Sequence, residues 1–80
     1  MTNLEKYKKA YIESLSLEND FKVEDLEYNG IPEWDSIGHM TLVSAIEDEF
    51  DISMETDDII DLSSFKKGKQ ILAEKYKINI

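Results

Sequence analysis

The apolar residues of this chain keep a helical rhythm near both ends and in the middle, and lose it over one long acidic stretch. Leu4, Tyr7, Tyr11 and Leu15 fall at steps of three and four, the spacing of one helix face. Thr2 or Asn3 stands where an N-cap belongs, so the pattern predicts a first helix over about residues 3–16. Residues 17–34 have no helical period. Leu17, Phe21, Val23, Leu26 and Tyr28 are scattered among acids there. The run YNGIP, residues 28–32, is turn chemistry: Asn-Gly favours positive φ, and Pro32 pushes Ile31 out of the α region. This segment reads as a long loop whose apolar residues pack over the core, with Trp34 as the plug that fixes the entry to the next helix.

The rhythm returns at Asp35, a good N-cap. Ile37, Met40, Val43, Ile46 and Phe50 mark one face of a second helix, and Leu42 and Ala45 widen it. The stripe is expected to be core. Glu47, Asp48, Glu49 and Asp51 crowd the far end, where carboxylates oppose the helix macrodipole. That placement favours a role in recognition. The run METDDIIDL, residues 54–62, predicts a short third helix capped by Thr56, with Ile59, Ile60 and Leu62 inward. A fourth helix starts at Ser63 or Ser64 and turns Phe65, Ile71, Leu72 and Tyr76 to the core. Gly68 weakens it by about 0.5–1 kcal/mol relative to Ala. The expectation is an all-α four-helix bundle in a single domain over residues 1–80, with three longer helices, a short third, and a long loop between helices one and two.

Composition narrows the function. A hydrophobic content of 41% suits a packed domain and excludes a disordered acidic tail. There is no cysteine, hence no disulfide framework and no thiolate metal site. No signal-peptide pattern and no membrane-length apolar run is present, so a soluble cytoplasmic protein is expected. The net charge of −9 is unevenly spread: between Glu18 and Asp61 fifteen acids face a single base, Lys22. Such a middle repels nucleic acid and attracts basic protein surfaces.

Asp35, Ser36 and His39 lie close enough to suggest a hydrolytic triad. Yet this spacing gives Asp35 no obvious way to orient His39, and there is no Gly-rich loop for an oxyanion hole. An EF-hand reading of the acids from Asp51 onward puts Thr56 where Gly belongs and Leu62 where Glu belongs. One histidine makes no metal site. Ser36 is harder to dismiss. With Asp35 as cap, it is the first helical residue and its hydroxyl points outward. Neither Gly38 nor His39 completes a capping box. Exposed N–H groups and the positive dipole end favour a phosphate ester at such a serine. Gly38 removes bulk beside it, which suits a site where something must lie close.

The run WDSIGHMTLVSAIEDEFDI, residues 34–52, resembles the acyl carrier protein family, which includes the peptidyl carriers. The likeness continues through ETDDIIDL and SSFKKGKQIL. The resemblance implies a four-helix bundle with Ser36, preceded by Asp35, as the attachment point for 4′-phosphopantetheine transferred from coenzyme A by a phosphopantetheinyl transferase. The arm would end in the thiol that this chain lacks and carry acyl or aminoacyl groups as thioesters. The chain would then be no enzyme. It would present intermediates to acyl-loading, condensing or acyltransferase enzymes through basic patches that meet Glu47, Asp48, Asp51, Asp57 and Asp58. In long-chain carriers the bundle interior shelters the cargo, a role the resemblance gives to Met40, Val43, Ile46, Ile59 and Ile60. Ile37, Gly38 and His39 depart from the Leu-then-acid run of primary fatty-acid carriers. The departure points to a specialised pathway: secondary metabolite, polyketide, nonribosomal peptide or polysaccharide. A monomer is expected, without nucleic-acid binding or membrane insertion. The competing readings are a small acidic interaction module without a prosthetic group, and a calcium-responsive helical domain.

Overall fold

Thr2 and Glu5 open the first helix by capping each other. Thr2 Oγ1 accepts from the Glu5 N–H at 3.1 Å, and the Glu5 carboxylate accepts from the Thr2 N–H at 3.0 Å. This is a capping box that satisfies two orphan donors. A computed structural model describes all of residues 1–80. It contains four helices and no strand: α1 (Asn3–Ser14), α2 (Ser36–Phe50), α3 (Thr56–Asp61) and α4 (Phe65–Lys75). A single 3-10 turn, Val23–Asp25, interrupts the long loop between α1 and α2. The fold is the small helical bundle the apolar pattern predicts.

Helix ends differ from that pattern by small, explicable amounts. α1 stops two residues early because Ser16 turns left-handed at φ 56° and the Leu17 N–H reaches back to the Ile12 carbonyl at 2.9 Å. Asp51 does the same at the end of α2, with φ 53°, sending the Ile52 N–H to the Glu47 carbonyl at 3.1 Å. The N-cap of α3 is Glu55, with no side-chain cap, and Thr56 is already helical. Ser64, not Ser63, caps α4 by accepting from the Lys67 N–H at 3.0 Å.

The core is built on rings. Trp34, Tyr7, Tyr11 and Phe65 are fully buried. Tyr7 and Phe65 have centroids 4.6 Å apart, and Tyr11 meets Trp34 edge-on at 5.4 Å. Burying an aromatic side chain of this size stabilises the fold by ~2–3 kcal/mol. The Tyr7 hydroxyl donates to the Phe65 carbonyl at 2.6 Å, so the Tyr11 hydroxyl, 3.0 Å away, donates to Tyr7. Burial pushes both phenols above their ordinary range. Gly68 explains itself here. A Cβ at that position would collide with Leu62 Cδ1 and the Tyr7 hydroxyl, so α4 approaches α1 this closely only without a side chain.

The long loop lies over the bundle as expected. Val23, Leu26 and Trp34 are buried. The Phe65 N–H donates to the Leu26 carbonyl and the Tyr28 N–H to the Ser63 carbonyl, each at 2.9 Å, pinning the loop to the junction of α3 and α4.

The α2 stripe is the main correction. Leu42, Val43 and Ile46 are buried, but Ile37 is 80% exposed and Met40 55% exposed. On α3, Ile60 is 71% exposed, while Leu62, just past the end of the helix, is buried. The first turns of α2 pack on the loop through Gly38 and His39, and leave Ile37 and Met40 at the surface on either side of that contact.

Candidate functional site

Asp35 is extended and its Oδ1 accepts from the Gly38 N–H at 2.8 Å. The Asp35 carbonyl takes the His39 N–H, also at 2.8 Å. Ser36 is therefore the first residue of α2, exposed, at the positive end of a fifteen-residue helix. Its hydroxyl is not wholly free: it lies 3.2 Å from the Tyr28 hydroxyl.

Gly38 has a structural cause different from the one its position suggests. A Cβ there would run into the Glu33 carbonyl oxygen and approach Leu15 Cδ2 at 3.3 Å. What lies close to Gly38 is the loop's own backbone, folding sharply into α2.

Beside Ser36 opens a groove of about 420 Å³, lined by Tyr28, Ser36, His39, Met40, Ile59, Ile60, Leu62 and Ser63. Met40 and Ile60 stand exposed along it. Of the five side chains offered for a buried cargo space, Val43 and Ile46 instead belong to the closed core. Met40, Ile59 and Ile60 line this open groove.

His39 is half-buried and uses both ring nitrogens. Trp34 Nε1–H donates to His39 Nδ1 at 2.9 Å, which leaves the ring proton on Nε2, donating to the Ile59 carbonyl at 2.7 Å. Neither nitrogen is available to take a proton from Ser36, so the Asp35, Ser36, His39 set is not a triad. His39 is a brace between the loop, α2 and α3.

The other side of α3 is held by Asp58, which is buried. One carboxylate oxygen accepts from Lys75 Nζ at 2.6 Å and the other from the Tyr76 hydroxyl at 2.6 Å. The Tyr76 hydroxyl accepts in turn from the Glu55 N–H at 2.8 Å. The hydrogen bonds from Lys75 and Tyr76 hold the Asp58 carboxyl below its ordinary range, and Asp58 holds the Lys75 ammonium above its own. Burial, aided by the bond to Asp58, raises the Tyr76 phenol.

This arrangement corrects the expected docking acids. Asp58 is withdrawn into its pairing with Lys75 and cannot meet a partner. Glu47 is half-buried, its carboxylate accepting from the Met54 N–H at 2.8 Å, so it closes the turn after α2. Glu49 pairs with Lys9 at 3.4 Å. Asp48, Asp51 and Asp57 are exposed and unpaired, and Asp61 joins them. In the sequence Tyr28 and Tyr76 read only as packing residues, and Lys75 is not singled out. The Asn-Gly turn marked Tyr28's neighbourhood, but no local pattern reports a hydroxyl contact eight residues away or an ion pair across two helices.

No group of three or more His, Asp or Glu side chains is placed to hold a metal ion. No helix is long and apolar enough to cross a membrane. The site offers one exposed hydroxyl at a helix start, an apolar groove beside it, and no adjacent acid–base pair. Comparison with models of known families, with curated proteins and with solved structures gives no match to this chain.

Proposed function

We propose that this chain is a cytoplasmic carrier protein, modified at Ser36 with 4′-phosphopantetheine and presenting acyl or aminoacyl thioesters to partner enzymes. The observation that carries the reading is the setting of Ser36: exposed, first in α2, capped by Asp35 rather than capping, and opening on an apolar groove. A serine with no base beside it is a poor nucleophile for catalysis within the chain. It is well suited to modification by an enzyme that brings its own base and Mg²⁺. In that modification Ser36 Oγ bonds to the phosphorus that bears pantetheine in coenzyme A. The pyrophosphate P–O bond breaks, adenosine 3′,5′-bisphosphate leaves, and the serine proton passes to the transferase's base. Once attached, the group supplies a terminal thiol for thioester formation, in a chain that has no cysteine. Exposed Ile37, Met40 and Ile60 give the transferase and later partners an apolar contact around Ser36. Asp48, Asp51 and Asp57 offer unpaired charge to basic patches. Ile37, Gly38 and His39 favour a specialised pathway over primary fatty-acid synthesis.

The test is intact mass before and after incubation with coenzyme A, Mg²⁺ and a broad-specificity phosphopantetheinyl transferase, with Ser36→Ala alongside. The parent gains one phosphopantetheinyl unit and the variant, equally folded, gains none. No gain in the parent beside a working control carrier removes the reading.

The exposed, unpaired acids Asp48, Asp51, Asp57 and Asp61 also favour a second reading, an acidic interaction module without a prosthetic group. That module would bind a basic partner in a salt-sensitive way, unaffected by Ser36→Ala and weakened by Asp48→Lys.

A further inference from the structure

The Ser36 side chain makes a single hydrogen bond, to Tyr28, and the way the fold holds Tyr28 gives that bond meaning. Tyr28 lies in the long loop, yet its position is fixed from three sides. Its N–H donates to the Ser63 carbonyl at 2.9 Å. Its ring stands edge-on to His39 at 5.3 Å and to Trp34 at 6.4 Å. His39 and Trp34 are themselves locked to each other and to α3 by the bonds already described. The residue after it, Asn29, takes φ 65° and donates its N–H to the Trp34 carbonyl at 2.9 Å, which closes the loop back on itself. The ring is 39% exposed, and these contacts hold it with its hydroxyl 3.2 Å from Ser36 Oγ. The same side chain lines the groove on which Ser36 opens.

We infer that Tyr28 is a positioning residue for the Ser36 site: its hydroxyl orients Ser36 Oγ before modification and anchors the first bonds of the attached arm afterwards. The inference rests on the carrier reading. In the free protein either hydroxyl of the pair can be the donor. Esterification removes the proton of Ser36, so Tyr28 is then the only donor of the two. Its O–H turns to a non-bridging phosphate oxygen, whose negative charge makes it a better acceptor than a neutral hydroxyl. A contact that is reversible in direction before modification becomes one-way after it. The bond restricts rotation about the serine ester and aims the arm along the groove between α2 and α3, instead of leaving it to sweep through solvent.

Tyr28→Phe is the decisive variant, because it keeps the ring against His39 and Trp34 and removes only the hydroxyl. Equal thermal midpoints for parent and variant establish that the fold is retained. Two readouts follow. In single-turnover transfer from coenzyme A, the variant's rate at saturation falls by roughly threefold to tenfold while the half-saturating concentration stays put, the signature of a lost orienting bond. In the holo form, the ³¹P resonance of the phosphodiester shifts between parent and variant, a change that a purely structural role would not produce. If the parent loads and the variant matches it in both rate and ³¹P shift, Tyr28 plays no such part and the carrier reading stands. If the parent itself gains no mass, the carrier reading falls and this inference with it.

Discussion

The indole N–H of Trp34 and Nδ1 of His39 meet at 2.9 Å, and each residue settles the chemistry of the other. A buried indole needs an acceptor, and His39 supplies it. By accepting at Nδ1, His39 is committed to donating from Nε2, and the Ile59 carbonyl is where that proton goes. Replacing His39 with Ala therefore strands the Trp34 donor and frees one edge of α3. We expect a loss of about 1–3 kcal/mol in urea unfolding. Trp34 is the only tryptophan, so a changed emission maximum in the folded variant checks the same contact from its other end.

Gly38→Ala tests the sharp entry to α2. Alanine is the better helix former by about 0.5–1 kcal/mol. Here its methyl would meet the Glu33 carbonyl oxygen, a backbone atom that moves only if the loop moves. Overpacking of this kind costs about 1–3 kcal/mol, so the substitution is expected to lower the melting temperature. A raised melting temperature would show that the loop shifts freely.

Asp58→Asn tests the hold on α3 and carries a pH signature. The carboxyl is held below its ordinary range in the folded chain, so its contribution is complete above the unfolded carboxylate value of about 4. That contribution drains away as pH falls from there through the lower, folded value. Lys75, raised by the same pair, keeps its contribution until pH climbs past the ordinary lysine range. Near neutrality the variant should be less stable by about 1–2 kcal/mol. The urea midpoints of parent and variant should converge in acid, and a gap independent of pH would contradict the assignment.

Ser16→Gly is expected to stabilise. Ser16 sits at φ 56° with an exposed side chain, a conformation that costs an L-residue about 1 kcal/mol and glycine almost nothing. A gain of roughly 0.5–1 kcal/mol in thermal or urea unfolding is the expected result.

The four helices were legible because α1, α2 and α4 announce themselves by periodicity and by Thr2, Asp35 and Ser64 as caps. Their C-terminal ends were less so. The usual signal is glycine, and Ser16, Asp51 and Lys77 make left-handed turns without it. That Asp35 caps α2 and Ser36 opens it was readable from local chemistry alone. Ile37, Met40 and Ile60 were not, because a period tells which residues share a face and says nothing about where the core stops. Asp58 shows the same limit for charge. In sequence it is one acid among neighbours, and only Lys75 and Tyr76, seventeen and eighteen residues on, distinguish it from exposed Asp57.

Among the six residues of α3, Asp58 alone is buried, and the helix is held by polar anchors to α2 and α4. Ile59 packs only partly against the core and Ile60 is already exposed, so letting go of these anchors uncovers far less apolar surface than unfolding the bundle does. The denaturant dependence of that release is correspondingly shallow, since its slope scales with the area exposed. The wall of the groove formed by α3 is therefore expected to open separately from the melting of the bundle. Amide exchange in α3 should stay nearly flat with added urea while α1 and α2 follow the global transition.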